Sequence, residues 1–237
     1  MSQSDPIISI IIPFYNEVEN VDFVLDEVRR TNPAAEIIAV DDGSSDGTAH
    51  KLMQHQDVQA ICLPRNLGQS AALYIGLAHA AGELCVMMDG DGQNDPADIP
   101  FLIAQKDQAD VICGYRKKRQ DSFYRRMASR IANVIRGALL HDHIRDTGCT
   151  LKVIRREHVK YLVPFQSMHR FIPALLCGAG LSIAEYPVNH RARKAGESKY
   201  TIGGRAIRGL YDLIGVCWLR RRQIHWPIDM KLQKKSS

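Results

Sequence analysis

Residues 84–93 read LCVMMDGDGQ, five apolar residues that lead directly into two aspartates separated by glycine. An unbroken apolar run of this length indicates a strand buried on both faces, as in a parallel sheet covered by helices. The polar turn then falls at the carboxyl end of the strand, where open α/β sheets bind their ligands. This stretch therefore predicts both a central strand and a candidate site beside it.

Other apolar runs that predict strands lie on both sides of residues 84–93 in the first half of the chain. Apolar runs predict strands at residues 7–12, 36–40, 58–63, 84–88 and 111–114. Helical patterns lie between them: Asn20 and Asp46 are predicted to cap helices that extend to residues 30 and 56, a third helix covers 69–81, and a fourth opens at Pro96. This alternation predicts an α/β fold, a mostly parallel sheet with helices on both faces.

After residue 116 the pattern is less regular. Residues 122–140 predict a long basic amphipathic helix, and strands are predicted at 150–154 and 182–190. Further helices are predicted at 156–161, 169–177 and 202–219, with a polar loop at 191–204. The expected organisation is one domain over residues 1–200, followed by an amphipathic helix and a basic tail over residues 201–237.

Each of the first four predicted strands ends in polar or glycine-containing residues. These motifs are PFYNE at 13–17, DDGSSDG at 41–47, PRNLG at 64–68 and DGDGQ at 89–93. Because the carboxyl ends of parallel strands meet at one edge of a sheet, we expect the four motifs to converge. Their convergence is stronger evidence for a site than any single motif.

Asp89 and Asp91 carry the clearest chemistry. Two carboxylates separated by one glycine in a turn can face one cation, and Gln93 offers a further oxygen. Hard oxygen ligands suit Mg²⁺ or Mn²⁺, which keep bound waters and take phosphate oxygens as further ligands. The alternative is an Asp-Gly turn with a purely structural role.

The loop at 41–48 also has two interpretations. Ser44 and Asp46 are natural helix caps, whereas Asp41 or Asp42 is a candidate acceptor of hydrogen bonds from a nucleotide base or ribose. Neither GxGxxG nor GxxxxGK[ST] occurs in the chain. Dinucleotide and P-loop sites therefore lose their main support.

The formal net charge is +5, and the excess is local. Seven Lys or Arg residues lie within 116–130, and further basic blocks follow at 220–222 and 234–235. Such blocks suit phosphate groups, anionic lipid or nucleic acid, although a solvated basic surface is the simpler interpretation.

The cysteines indicate the redox state of the compartment, and the lengths of the apolar runs indicate whether the chain could cross a membrane. The six cysteines form no CxxC pair, and Cys62, Cys85 and Cys113 fall in apolar runs, which predicts small buried hydrophobes in a reducing compartment. The sequence predicts no signal peptide, and it contains no apolar run of the ~18 residues that a transmembrane helix requires.

Together these motifs resemble family 2 inverting glycosyltransferases, in particular the branch of dolichol-phosphate mannose synthases and polyprenyl-phosphate glycosyltransferases. The resemblance rests on IIPFYNEVEN, VDDGSSDGT, PRNLGQSAAL, MDGDGQNDP, GYR, DTGCTLKVIRR and EYPVNHRARKAGESKY, in that order across residues 7–200. It implies a Rossmann-like glycosyltransferase A fold with the catalytic domain at 1–200. The implied activity is metal-dependent transfer of one sugar from GDP-mannose or a UDP-sugar to dolichyl or undecaprenyl phosphate.

The resemblance also implies roles for individual residues. The nucleotide-binding set is Pro13, Tyr15, Asn16, Glu17, one of Asp41 and Asp42, Gly68 and Gly90. The implied metal ligands are Asp89, Asp91 and Gln93. Arg116 and Arg130 would meet the diphosphate or the lipid phosphate. A late loop would close over the site and bind phosphate oxygens through Arg193, Ser198 and Lys199. The expected catalytic residues are Asp91, Arg116, Arg193 and Lys199.

The implied acceptor is consistent with this composition of the site. A sugar hydroxyl would need a general base, whereas a lipid phosphate is already ionised at neutral pH and needs its charge held in place. We therefore expect a site rich in Arg and Lys, without a dedicated His or Glu base. His141, His143 and His169 are assigned structural or surface roles.

Two other functions are compatible with the sequence. A family 2 enzyme with a hydroxyl acceptor, on a glycolipid or a polysaccharide, would need an Asp or Glu base near the late loop. A non-catalytic module that binds nucleotide-sugar or nucleic acid would suit the basic helix, but it leaves the strand-end motifs without a role. We expect no nucleic-acid partner.

The C-terminal segment departs from many members of the branch, which continue into transmembrane helices. Its apolar residues, Trp218 and the basic flank at 220–222 predict an interfacial helix on an anionic membrane. This predicts a peripheral position on the cytoplasmic face. The alternatives are a helix packed on the domain core and a membrane-anchoring partner protein.

Overall fold

The computed structural model describes residues 8–116, 136–137, 139–140, 142, 144–192 and 203–222. Its strands are β1 (Ile8–Phe14), β2 (Glu36–Asp41), β3 (Gln59–Cys62), β4 (Leu84–Met87), β5 (Val111–Arg116), β6 (Lys152–Arg155) and β7 (Ile183–Val188). Within the described ranges these strands form one seven-stranded sheet in the order β3-β2-β1-β4-β6-β5-β7.

Helices cover both faces of this sheet. The α-helices are α1 (Val21–Thr31), α2 (Thr48–Met53), α3 (Gln69–His79), α4 (Ile99–Ile103), α5 (Ile172–Gly178) and α6 (Gly203–Arg222), and 3₁₀ turns occupy Pro96–Asp98, Arg156–Tyr161 and Met168–Arg170. One face of the sheet packs against α1, α2 and α4, and the other packs against α3, α5 and α6. We call them the α1 face and the α3 face.

The central strands are buried on both faces, as their unbroken apolar runs predict. In β1, Ile10 and Ile12 pack on the α1 face, whereas Ile11 packs on the α3 face. Strands β1 to β4 run parallel to one another. The expected mostly parallel α/β sheet is confirmed.

β6 is the exception, because it runs antiparallel to both of its neighbours, β4 and β5. The sequence predicted a strand here, but a short apolar segment carries no signal for its direction. The reversal places the amino end of β6 at the same edge as the carboxyl ends of the other strands. Residues 146–150 therefore join the strand-end motifs at this edge, which we call the rim.

Helix termini differ locally from the predictions. Asn20 precedes α1 but makes no side-chain cap, and its amide donates instead to Glu17 Oε2 at 2.5 Å. Asp46 does accept the backbone N–H of Thr48 at 3.0 Å, although α2 ends earlier than predicted. Residues 156–161 form a 3₁₀ turn rather than an α-helix.

Two of the three cysteines in apolar runs are buried as predicted. Burial raises the pKa of the Cys85 and Cys113 thiols to about 12, which makes them inert. The prediction for Cys62 is wrong, because β3 is the edge strand of the described sheet and this cysteine is exposed. An edge strand lacks a neighbour on one side, so an apolar run alone overestimates its burial.

α6 combines the two arrangements that the sequence allowed. Leu213 and Val216 belong to the core of the α3 face. The other side of the helix exposes its large apolar residues, Leu210, Tyr211, Ile214 and Trp218. No helix in the described ranges has both the length and the apolar character needed to cross a membrane.

Close packing of α3 on the sheet generates a stability prediction. A Cβ at Gly76 would lie 2.5 Å from Ile11 Cγ2 and 3.2 Å from Val40 Cγ2. We expect Gly76→Ala to lower the free energy of unfolding by about 1–3 kcal/mol, because overpacking outweighs the gain in helix propensity.

Gly215→Ala in α6 is the matched control, because no other part of the described structure lies within 4 Å of its Cβ position. Helix propensity alone should raise its free energy of unfolding by up to about 1 kcal/mol. Urea unfolding measures both variants, and effects of the same sign would contradict the packing of α3 at Gly76.

Candidate functional site

Asp42 is buried and holds the 64–68 loop against β2. Its carboxylate accepts the backbone N–H groups of Leu67 at 2.8 Å and Gly68 at 2.9 Å, and the side-chain amide of Asn66 at 3.0 Å. Burial raises the pKa of Asp42, and the two backbone donors oppose this rise. Asp42 and Gly68 thus stabilise the loop, which favours Asp41 as the member of the pair that is available to a ligand.

Asp41 is 1% exposed, and one of its two oxygens lacks a donor. Oδ2 accepts the N–H of Ser44 at 3.0 Å, whereas Oδ1 is buried without a hydrogen-bond partner among the described residues. Because a buried oxygen without a donor costs free energy, a ligand that donates a hydrogen bond here would be favoured. The alternation of β2 places Asp41 on the side of the α1 face.

Asn16 connects the loop after β1 to the loop after β2. Its φ of 51° lies in the left-handed region, which Asn tolerates better than most residues. Its N–H donates to Ser44 Oγ and its Oδ1 accepts the N–H of Ser45, both at 2.8 Å. Asn16 therefore fixes the wall of the rim around Asp41.

The other residues of the 13–17 motif differ in accessibility. Pro13 is buried in β1. The backbone N–H of Glu17 donates to Thr48 Oγ1 at 3.0 Å, which anchors it to the start of α2. Tyr15 is 38% exposed, so it is the side chain of this motif that is most open to a ligand.

Asp89 follows β4 directly and joins three elements. Its Oδ1 accepts Gln69 Nε2 from the start of α3 at 2.6 Å, and its Oδ2 accepts Thr150 Oγ1 from the segment before β6 at 2.8 Å. Its N–H donates to the buried Asn94 at 2.9 Å. Each carboxylate oxygen keeps a lone pair, so these bonds orient Asp89 without excluding a further ligand.

Burial raises the pKa of Asp89 to about 6, and the negative charge of Asp91 adds to this rise. The hydrogen bond from Thr150 and the positive charges of Lys152 and Arg116 act in the opposite direction. Burial makes the ionised form of Asp89 costly, and a divalent cation would supply positive charge that stabilises it. The oxygen donors and their charge therefore fit Mg²⁺ or Mn²⁺.

The described residues supply only part of the ligands that a bound metal ion would need. Within the described part of the chain, no three His, Cys, Asp or Glu side chains converge as a metal cluster. Asp91 Oδ1 accepts the N–H of Gln93 at 3.1 Å, which shapes the turn that carries both residues. Asp89, Asp91 and Gln93 would share an ion with water and substrate phosphate, as Mg²⁺ does in phosphate sites.

Gly90 sits in the turn because of packing against β1. A Cβ at this position would lie 2.6 Å from Phe14 Cδ1 and 2.8 Å from the carbonyl oxygen of Pro13. This contact is sufficient to explain the glycine, which the resemblance assigned to the nucleotide-binding set.

The carboxylate turn is clamped to the segment after β7. The N–H of Arg191 donates to the carbonyl of Gln93 at 2.9 Å. The guanidinium of Arg191 forms ion pairs with Asp95 at 2.7 Å and with Glu27 of α1 at 2.5 Å. The residue that leads into the predicted late loop is thus fixed to the turn that carries Asp89 and Asp91.

Arg116 ends β5 at the rim in a bidentate ion pair. Its Nε and Nη2 donate to the two carboxylate oxygens of the buried Asp146 at 2.7 and 2.8 Å. A Cβ at Gly148 would lie 2.8 Å from Arg116 Nη2, so glycine leaves room for the guanidinium. Asp146 thereby orients a residue that was expected to be catalytic.

Sequence reasoning placed the carboxylates correctly at one edge but missed the residues that support them. Gln69, Thr150 and Asp146 were overlooked, although they lie in the quoted motifs PRNLGQSAAL and DTGCTLKVIRR. The remaining members of the expected site lie outside the described residues, and their roles stay predictions: Arg130, Arg193, Ser198 and Lys199.

The raised pKa of Asp89 makes stability depend on pH. The folded chain binds the proton of the Asp89 carboxyl group more tightly than the unfolded chain does. The contribution of protonated Asp89 to the free energy of unfolding is therefore lost as pH rises from about 4 through about 6. With a chelator present, we expect the wild type to lose about 2–3 kcal/mol relative to Asp89→Asn over this interval. Urea unfolding at a series of pH values measures the difference, and parallel profiles would contradict the burial of an ionisable carboxylate here.

Comparison with known proteins identifies the family to which this chain belongs. Residues 9–163 match the model of the family described as Glycosyl transferase family 2. The dodecaprenyl-phosphate galacturonate synthase of Rhizobium johnstonii is 36% identical over an aligned length of 236 residues, and the match covers 92% of this chain and 70% of that protein.

Solved structures of glucosyl-3-phosphoglycerate synthase from Mycobacterium tuberculosis share the fold. The complex with Mn²⁺, UDP and phosphoglyceric acid has a TM-score of 0.71 at 18% identity, and the match covers 90% of this chain and 79% of that chain. The complex with Mg²⁺ and UDP has a TM-score of 0.66 at 18% identity, with 91% and 79% covered. These matches confirm the expected glycosyltransferase A fold, and the family model together with the R. johnstonii relative shows that the chain is an enzyme of glycosyltransferase family 2.

Proposed function

We propose that this enzyme transfers one sugar from a nucleotide-sugar to a polyprenyl phosphate, with inversion at the sugar and with a bound divalent cation. The observation that carries the proposal is the turn with Asp89 and Asp91 at the rim, two strands away from Asp41, whose buried Oδ1 lacks a hydrogen-bond donor among the described residues. The R. johnstonii relative supports the acceptor class, because its name specifies dodecaprenyl phosphate.

The nucleotide of the donor would bind on the α1-face side of the rim. Asp41 Oδ1 would accept a hydrogen bond from the base or the ribose, which resolves its lack of a donor. Tyr15, which is 38% exposed in the loop after β1, would offer a further contact to the donor. The 41–45 loop, held by Asn16, would form the adjoining wall.

Asp89, Asp91 and Gln93 would hold the Mg²⁺ or Mn²⁺. Both ions occur with UDP in the M. tuberculosis complexes, which supports this assignment. When bound, such an ion stabilises the negative charge of the departing diphosphate. Gln69 and Thr150 would keep Asp89 in the orientation that this task requires.

The described rim favours an acceptor that needs no general base. Near the start of the late loop, Asp95 pairs with Arg191, and Asp98 accepts the backbone and side-chain N–H groups of Asn189 at 2.6 and 3.0 Å. These carboxylates are engaged, so they are poor candidates to deprotonate a hydroxyl acceptor. A lipid phosphate needs cations instead, and the expected ones are Arg116, which Asp146 orients at the rim, and Arg193 and Lys199, which lie outside the described residues.

Transfer activity tests the proposed function. The assay offers a panel of nucleotide-sugars, including UDP-galacturonate, with polyprenyl phosphate and Mn²⁺, and it measures acid-labile sugar in the lipid phase. Asp91→Ala should lower the transfer rate by roughly a hundredfold to a thousandfold, because it removes a metal ligand that acts on the leaving group.

Asp107→Ala is the matched control, because this exposed carboxylate lies beside Arg155 at the edge opposite the rim. Its transfer rate should equal that of the wild type. Absence of transfer from every donor, or an Asp91 variant as active as the wild type, would contradict the proposal.

The exposed side of α6 supports a peripheral position on an anionic membrane. Four large apolar side chains there are 57–79% exposed: Leu210, Tyr211, Ile214 and Trp218. Arg221 and Arg222 follow on exposed positions at the end of the helix. Apolar residues with an adjoining basic cluster suit the interface of a membrane that contains anionic lipid.

Vesicle flotation tests this position with the full chain and no partner protein. The wild type should float with vesicles that contain phosphatidylglycerol, and Trp218→Glu should reduce the bound fraction several-fold, because a charge replaces an apolar contact. Met53→Glu is the control, since Met53 is 61% exposed on α2. If the wild type did not float, a membrane-anchoring partner protein would replace direct contact with lipid.

A further inference from the structure

A partly buried polar cluster lies next to Asp89 on the α3 face, and the proposed function does not yet use it. Ser70 follows Gln69 in α3, and its Oγ lies 2.9 Å from His169 Nδ1. The backbone N–H of His169 also donates to Ser70 Oγ at 3.4 Å. These two bonds fix the Met168–Arg170 turn to the start of α3, where Gln69 contacts Asp89.

The hydroxyl of Ser70 determines where the His169 ring carries its proton. Ser70 is buried, so its O–H needs an acceptor, and His169 Nδ1 is the acceptor within reach among the described residues. The hydroxyl therefore donates to Nδ1, which leaves the proton of the neutral ring on Nε2. No described residue hydrogen-bonds to Nε2.

The surroundings keep this ring neutral. Burial lowers the pKa of His169 to about 3, and the positive charges of Arg170 and Lys152 add to the decrease. A neutral ring with its proton on Nε2 donates a hydrogen bond from that atom and cannot remove a proton there. His169 is thus a hydrogen-bond donor rather than a general base.

Two cations lie near this donor. Lys152 is buried in β6, and its ammonium donates to the carbonyl of Cys149. Arg170 belongs to the same turn as His169. A neutral donor beside two positive charges favours an anionic oxygen as its partner.

The cluster lies on the opposite side of the rim from Asp41. Asp41 lies on the α1-face side of the rim, whereas Ser70, His169 and Lys152 lie on the α3-face side, with Asp89 adjoining them. Because the nucleotide occupies the first side in the proposed function, the second side is left for the acceptor.

We propose that His169 is an acceptor-binding residue, whose Nε2–H donates to a phosphate oxygen of the polyprenyl phosphate. This inference rests on the proposed function and assigns a contact within the same site. It replaces the structural or surface role that the sequence suggested for His169.

Two amide substitutions at His169 distinguish the role of Nδ1 from the role of Nε2. Asn at 169 places its amide near the position of Nδ1, whereas Gln reaches the position of Nε2. His169→Asn should lower kcat/KM for polyprenyl phosphate roughly tenfold to a hundredfold, the effect of losing one hydrogen bond to a charged oxygen. His169→Gln should retain kcat/KM within about threefold, because it restores that donor.

Affinity for UDP in the presence of Mn²⁺, measured by calorimetry, should be unchanged in both variants. The inference is overturned if the wild type transfers sugar and His169→Asn matches it, if both variants are equally impaired, or if UDP affinity falls together with activity. A wild type that transfers no sugar to polyprenyl phosphate overturns the proposed function itself. The activity of the wild type is therefore measured before that of the variants.

Discussion

The hydrogen bonds that Gln69 and Thr150 donate to the two oxygens of Asp89 hold the candidate site together. They join α3, the turn after β4 and the segment before β6 at one carboxylate. The bond from Thr150 exists because β6 runs antiparallel and begins at the rim. A parallel β6 would carry this residue to the opposite edge. The reversed strand is thus a requirement of the site.

The alternation of side chains along the sheet divides the rim into two sides. At the end of β2, Asp41 belongs to the α1-face side with one buried oxygen that lacks a donor, while Asp42 turns to the 64–68 loop, where its carboxylate accepts three hydrogen-bond donors. Asp89 adjoins the α3-face side with Ser70 and His169. The neighbouring aspartates therefore have different roles: Asp41 is available to bind a ligand, and Asp42 stabilises the 64–68 loop. A donor and an acceptor can approach the carboxylate turn from opposite sides.

The sequence predicts those parts of this arrangement that depend on local pattern. Buried strands follow from unbroken apolar runs, and the convergence of four motifs follows from the geometry of a parallel sheet. The carboxylates of Asp89 and Asp91 could be placed on that basis. The direction of β6, the exposure of Cys62 and the pairing of Arg116 with Asp146 could not, because each depends on a neighbour distant in sequence. The separate roles of Asp41 and Asp42 were open for the same reason.

The carboxylate turn and Asp41 would act together as one site for a metal-bound nucleotide diphosphate. Calorimetric titration of the full chain with UDP, with and without Mn²⁺, tests it most directly. We expect Mn²⁺ to raise UDP affinity by at least about tenfold, the effect of about 1.4 kcal/mol of added binding free energy. Equal UDP affinity after complete removal of divalent cations would contradict it.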